Sequence, residues 1–166
     1  MKGLVLSIGL LCFSILSWGQ TAKFHSGFIY HFTKYIEWPT DMRTGDFVIA
    51  IVGQNDVIPF LEKLATVKKA GTQKMIIKRC SSVVEAKGAH IIFLSDSKLS
   101  QFPTAQVQAQ TNNSLLLTDQ SGYGKKGAMI NFVDKAGRMQ FEINKKAIKS
   151  TKIKVSEQLL KLAIVL

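Results

Sequence analysis

One short segment rich in glycine and lysine has the spacing of a known chemical motif. Gly122, Gly124 and Gly127 satisfy the G-x-G-x-x-G spelling of a dinucleotide-binding turn. That turn binds a pyrophosphate where it joins a strand to the first turn of a helix, but here it leads into the strand-like stretch AMINFV. We therefore predict a flexible loop that offers only a weak site for an anion. The residues of this weak site are Gly122, Gly124, Lys125 and Lys126.

Other residues that could perform chemistry do not combine into a known motif. His25 and His31 are six residues apart, which places them about 120° from each other around a helix, and His90 begins a strand, so no pair has metal-ligand spacing. The sequence has no G-x-S-x-G nucleophile elbow, and Cys80 beside Arg79 is interpreted as a buried structural thiol. The 11 acidic residues are dispersed. We therefore predict a protein that is not an enzyme and has no metal or other cofactor.

The elements that must position these residues alternate between strands and helices. Short apolar runs predict strands at 47–52, 75–77, 90–94 and 115–117. Helices are predicted at 24–35, after a cap at Asn55 or Asp56 with an inner face of Phe60, Leu64 and Val67, and from caps at 95–97 to about Gln108. Residues 128–133 and 138–143 predict a hairpin, and residues 156–166 a closing helix or strand. This order predicts an α/β fold, a Rossmann-like layered sheet of mostly parallel strands with a C-terminal antiparallel hairpin.

The first predicted helix is unusually rich in aromatic residues. Six of the 13 aromatic residues after position 19 lie between positions 24 and 38. We assign Phe24, Phe28 and Phe32 to the core. The other three, Tyr30, Tyr35 and Trp38, are off this stripe and are predicted to contact a partner protein or a second copy of the chain, with Arg138 of the hairpin as a charged anchor.

The N-terminal residues predict export from the cytoplasm. Lys2, an apolar run over 4–16 and small residues at 17 and 19 have the build of a signal peptide of residues 1–19, and an uncleaved anchor is the alternative. The remaining residues, 20–166, have the length of one domain, and within them Cys80 has no second cysteine. Their net charge of about +10 favours acidic cell-wall polymers, lipid head groups or acidic proteins over nucleic acid, unless it only keeps the surface solvated.

Five segments together resemble the YfiR family, in the right order along the whole chain after the signal peptide. They are FIYHFTKYIEWP (28–39), FVIAIVG (47–53), HIIFLS (90–95), GAMINFV (127–133) and GRMQFEINKKAIKSTKIKVSEQLLKLA (137–163). The resemblance implies a periplasmic α/β protein, often dimeric, that holds a membrane-bound diguanylate cyclase inactive and so affects cyclic di-GMP signalling and biofilm formation. Where relatives can carry a cysteine before the histidine of the third segment, this chain has Ala89.

Two main functional hypotheses follow, and an exported hydrolase is a third. The first is a periplasmic regulator that binds and restrains a membrane signalling protein, a diguanylate cyclase or a sensor kinase. The second is a periplasmic receptor for an anionic solute or cell-wall fragment, which would use the glycine- and lysine-rich segment. An exposed apolar patch favours the first hypothesis, whereas a concave basic pocket favours the second.

Overall fold

The computed structural model describes residues 15–166, with side chains from residue 19 onward. The first part of the predicted signal peptide, residues 1–14, therefore lies outside the described residues, and residues 15–19 belong to the first helix. The elements in chain order are α1 Ile15–Tyr35, β1 Ile36–Glu37, β2 Phe47–Val52, α2 Val57–Val67, β3 Lys69–Ala70, β4 Gln73–Cys80, β5 Ile91–Leu94, α3 Phe102–Asn112, β6 Leu115–Thr118, α4 Tyr123–Lys126, β7 Ile130–Lys135, β8 Arg138–Ile143, α5 Lys145–Lys149, β9 Lys154–Val155, α6 Glu157–Leu162 and β10 Ile164–Val165.

The main sheet has eight strands in the order β10-β8-β7-β6-β5-β2-β4-β3. Its centre is parallel: β2 pairs with both β4 and β5, β5 pairs with β6, and β6 pairs with β7. The β7–β8 hairpin and the β3–β4 pair are antiparallel, and β1 and β9 form a separate antiparallel pair. Helices cover both sides of the sheet. This follows because parallel connections are right-handed, so connections that run in opposite directions from β2 place their helices on opposite faces. The predicted α/β, Rossmann-like fold with a C-terminal hairpin is confirmed.

The central strands form because their apolar residues can be buried on both faces. In β2, β5 and β6 nearly every side chain is buried, and residues Ile49, Ile92 and Leu116 are fully enclosed. Continuous apolar runs of this length are typical of parallel strands that are covered by helices on both sides. Strand β4 is longer than predicted, because β3 pairs with only its first two residues, so that Lys78 and Arg79 can extend into solvent within the strand.

The inner face of α2 differs from the prediction. The buried residues of α2 are Val57, Ile58 and Leu61. Of the residues predicted to be buried, Phe60 and Leu64 are only partly buried and Val67 is 73% exposed. The observed face is rotated from the predicted one by about 100°, because the helix begins at Val57 and its first turn already packs against the sheet. Each predicted residue therefore lies beside the buried face or opposite it.

Two further segments depart from the predicted outline. The predicted helix after residues 95–97 is a 3₁₀ segment, Asp96–Gln101, followed directly by α3, which ends at Asn112 beyond the predicted Gln108. The C-terminal residues form both predicted alternatives in succession, since α6 is followed by β10. Ser156 caps α6, because its hydroxyl accepts a hydrogen bond from the Leu159 amide at 3.2 Å.

Candidate functional site

The aromatic helix α1 packs on the hairpin with a different face from the one predicted. Its buried residues include Ala22, His25, Ile29 and Phe32, a stripe in steps of three and four residues, whereas Phe24 is 55% exposed. The assignment of Phe24 to the core is therefore wrong. Phe24 lies about 120° around the helix from the centre of this stripe, so it points away from the sheet that Phe32 faces.

Phe28 lies at the margin between the two faces of α1. Its ring centroid is 5.3 Å from that of Phe141 and 6.2 Å from that of Phe132, so it packs partly on the hairpin. Phe32, which is fully buried, contacts the same two rings at 5.3 Å and 6.0 Å. The predictions that Phe32 and, in part, Phe28 belong to the core are therefore confirmed.

The outer face of α1 forms a shallow apolar cleft of about 440 Å³. The residues that line it are Gln20, Lys23, Phe24, Gly27, Phe28 and His31. Sequence reasoning missed this cleft, although the positions 20, 24, 27 and 31 have the spacing with which one helix packs against another. We call these lining residues the outer face of α1.

The structure places two predicted partner-binding residues on α1 and one on the hairpin. Tyr30 and Tyr35 are partly buried: the Lys34 ammonium group lies 4.7 Å from the Tyr30 ring centroid, and Tyr35 stacks on His31 at 6.3 Å. Tyr35 thereby adjoins the outer face of α1. Arg138 is exposed at the first position of β8, beside the hairpin turn.

Trp38 lies in the core and not at the surface, where it was expected. It is 5% exposed, its indole N–H donates a hydrogen bond to the His90 carbonyl at 3.2 Å, and its ring meets that of Phe47 edge-on at 4.9 Å. The expectation was wrong because α1 ends at Tyr35, so helical spacing does not predict the direction of the Trp38 side chain. A contact with a partner protein is therefore not supported for Trp38.

The three histidines lie in three different environments. His25 is buried against Phe132 with a ring-centroid distance of 4.1 Å, and its Nε2 has no hydrogen-bond partner among the described residues. Burial lowers the pKa of His25 from 6.5 to about 4. His90 is held by the Val48 amide, which donates to Nδ1, and by the Met42 carbonyl at Nε2. Burial also lowers the pKa of His90, and His31 is exposed.

The glycine- and lysine-rich segment is a one-turn helix, α4, and not a flexible loop. Gly124 is buried, its carbonyl accepts a hydrogen bond from Asn144 Nδ2 at 2.8 Å, and a Cβ at this position would collide with the Glu142 carboxylate. The glycine therefore permits close packing, and the amide of Lys126 donates to the Gly122 carbonyl within the segment. This geometry does not favour the predicted anion site, which stays a prediction.

The remaining candidates for chemistry do not assemble into a catalytic centre. Cys80 is buried, and burial raises the pKa of its thiol, in agreement with the interpretation of a structural residue. Over residues 15–166 no group of three His, Cys, Asp or Glu side chains is suited to hold a metal ion. Within the same residues no helix is both long and apolar enough to cross a membrane.

These features define a Rossmann-like α/β domain that presents an aromatic helix face. The sequence model of the YfiR/HmsC-like family matches residues 22–164. The chain therefore belongs to the YfiR/HmsC-like family, a family of non-enzymatic, periplasmic regulators of diguanylate cyclases. The resemblance inferred from the sequence is thus confirmed.

Other comparisons add information on the fold alone. The solved structure of the ABC domain in complex with L-Trp from Streptococcus pneumonia is similar to this chain, with a TM-score of 0.55 and 14% identity. The match covers 82% of this chain and 58% of that one, so this chain spans less than two thirds of the length of that protein. No curated protein matches the chain significantly.

Proposed function

We propose that this protein is exported through a signal peptide of residues 1–19 and restrains a membrane-bound diguanylate cyclase by binding its periplasmic part. Cyclic di-GMP synthesis and biofilm formation are then low while the complex persists. Family membership supports the class of partner. The observation that carries the proposal on this chain is the outer face of α1, which leaves Phe24 more than half exposed.

The occupant that fits the outer face of α1 best is a helix of the cyclase. Helices pack when a stripe of residues in steps of three and four meets a complementary stripe, and small residues in that stripe allow close approach. Gly27 provides such a position, because nothing lies within 4 Å of where its side chain would be. Large aromatic rings such as Phe24 and Tyr35 are typical anchors of such contacts.

The charges around this face add a preference for an acidic partner. Lys23 lies in the cleft itself, and Lys34 stands one turn beyond the exposed His31. Arg138 is exposed on the hairpin on which α1 packs and has no ion pair among the described residues. We therefore expect acidic residues on the cyclase beside the helix that contacts Phe24.

The test is to change the side chains on the outer face of α1. Gly27→Arg fills the cleft without a clash inside the protein, and Phe24→Ala removes the exposed ring. We expect each variant to keep the wild-type stability within about 0.5 kcal/mol apart from helix propensity, and to bind the cyclase at least about tenfold more weakly. The matched control is Val107→Ala, which removes an apolar group that is 63% exposed on α3.

Two measurements decide the outcome. Tagged protein is used to capture partners from a detergent-solubilised envelope, and the captured protein must contain a diguanylate cyclase domain. In cells that lack the gene, cyclic di-GMP is expected to fall when wild type or Val107→Ala is restored and to stay high with Gly27→Arg. Equal capture and equal cyclic di-GMP for folded Gly27→Arg and wild type would contradict this binding surface. Capture of a sensor kinase in place of a cyclase would identify the other class of signalling partner.

A further inference from the structure

The strand order contains a switch point that the partner-binding face does not use. From β2 the chain crosses to β4 on one side and then returns to β5 on the other. In open α/β sheets, small ligands bind in the crevice outside the carboxyl ends of the strands at such a point. The residues that follow the ends of β2, β4, β5 and the neighbouring β6 are Gly53, Ser81, Ser95 and Asp119.

A basic cleft of about 300 Å³ lies at this point. Its polar lining comes from Gln54, Arg79, Ser81, Ser97 and Lys98. The guanidinium group of Arg79 is already engaged by the Glu62 carboxylate at 2.7–2.9 Å, but Lys98 forms no ion pair among the described residues. The cleft therefore presents an unneutralised ammonium group beside hydroxyl groups, a combination that suits a carboxylate.

Gly53 lets the two loops at this point approach each other. A Cβ at this position would lie 2.8 Å from Lys98 Cγ and 2.9 Å from Ser97 Oγ, and its φ of +93° is one that other residues rarely adopt. The Ser95 hydroxyl beside it is fully buried and has no hydrogen-bond partner among the described residues. The backbone is thus shaped so that Ser97 and the stem of Lys98 cross directly over the end of β2.

An acidic cleft, also of about 300 Å³, adjoins the basic one and shares Gln54 with it. It is lined by Asp56, Asp96 and Asp119, and Asp119 is half-buried with Asn55 Nδ2 at 3.5 Å as a hydrogen-bond donor. Burial raises the pKa of Asp119, and the neighbouring charge of Asp96 adds to this rise. No cation of this protein pairs with these carboxylates in the described residues, so they suit a ligand ammonium group.

We propose that the two adjoining clefts bind one short zwitterionic peptide, with its carboxylate beside Lys98 and its ammonium group beside Asp119. A single amino acid carries both charges on one Cα atom, whereas a peptide carries them on its two ends. The ends of a peptide of two or three residues move apart by about 3.5 Å per residue. The combined space is in the range of pockets for small ligands. This site is built from other elements than α1, so the proposal does not rest on the regulatory function.

The test is isothermal titration calorimetry of the purified protein at pH 7 and low salt. The probes are trialanine, three variants with glutamate, lysine or phenylalanine in the middle, the N-acetylated and C-amidated forms of each, and free L-alanine. We expect at least one free tripeptide to bind, and blocking either end to weaken binding about tenfold or more. L-alanine is expected to bind more weakly than that tripeptide.

Two substitutions assign the two ends of the peptide, and a third serves as the control. In Asp119→Asn, N-acetylation should no longer weaken binding while C-amidation still does, and Lys98→Gln should show the reverse pattern. Lys149→Gln, a matched removal of an exposed charge on α5, should retain the wild-type affinities.

Three results would overturn the peptide site. They are the absence of binding for every free tripeptide by protein that circular dichroism shows to be folded, affinities that do not depend on free ends, and an L-alanine affinity equal to that of the tripeptide. Because none of these results involves capture of the cyclase, failure of this site and failure of the partner-binding face are distinguishable.

Discussion

Acidification is expected to destabilise this protein through a buried histidine of α1. The folded protein holds His25 neutral, because its ring is enclosed against Phe132 and charging it would place an unsolvated cation in the core. The unfolded chain accepts the proton near pH 6.5, whereas the folded protein accepts it only at a pKa of about 4. The unfolded state therefore binds more protons between these values. The contribution of neutral His25 to stability is complete above about pH 7 and is lost as the pH falls from 6.5 to 4.

The size of this effect follows from the two pKa values. The full difference corresponds to about 3 kcal/mol, of which about 2 kcal/mol is lost between pH 7.5 and pH 5. A loss of this size is a substantial part of the roughly 5–15 kcal/mol that is typical of folded domains. Burial lowers the pKa of His90 as well, so His90 contributes a loss of the same sign.

Urea unfolding of wild type and His25→Phe at pH 7.5 and pH 5 isolates the contribution of His25. Phenylalanine keeps a ring against Phe132 but cannot be protonated, and His90 is present in both proteins and cancels. We expect the stability of the variant relative to wild type to improve by about 2 kcal/mol on going to pH 5. Val107→Ala, an exposed apolar position on α3, should show the wild-type pH dependence. If His25→Phe lost stability with acid as steeply as wild type, the burial argument would be refuted.

Two substitutions test other parts of the fold. Asp119→Asn should raise the melting temperature of the free protein at pH 7, because the raised pKa of Asp119 means that its charge opposes folding at this pH. The gain in melting temperature should shrink toward pH 4, where wild-type Asp119 becomes protonated. A lower melting temperature of the variant at pH 7 would contradict this prediction. Trp38→Phe should lower the free energy of unfolding in urea by about 1–3 kcal/mol, since it removes buried volume and the hydrogen bond to the His90 carbonyl. The same variant should capture the cyclase as well as wild type does. Unchanged stability would place Trp38 outside the core.

The central strands could be predicted because each is an uninterrupted run of apolar residues. A parallel strand with helices on both sides needs apolar residues at every position, and FVIAIV in β2 and LLL in β6 meet this demand without reference to the rest of the chain. The hairpin was equally accessible, because its two strands are separated by a short turn at residues 136–137. Such elements depend on local order alone.

The faces of the helices could be predicted only in part. A helix with aromatic residues at 24, 28, 30, 32 and 35 offers several possible stripes, and the sheet beneath α1 selects among them. The hairpin rings of Phe132 and Phe141 select Phe32 together with His25 and Ile29, which leaves Phe24 outside. A histidine at position 25 is a less obvious core residue than a phenylalanine at 24, so composition favoured the wrong stripe. The exposed Phe24 is informative for the same reason, because packing within the chain does not account for it.

The clefts at the switch point could not be predicted from the residues that line them. Their polar residues come from the end of β4 at 79–81 and from three connections at 53–56, 96–98 and 119–120. Each of these segments alone has the composition of ordinary solvated residues. Only the strand order brings these turns together, since β2 lies between β4 and β5 although it precedes both in the chain. A sequence that predicts parallel strands predicts carboxyl ends at one edge, but not which ends are neighbours. The separation of Lys98 from Asp119 into adjoining clefts is therefore a property of topology, and the blocked peptides test that property directly.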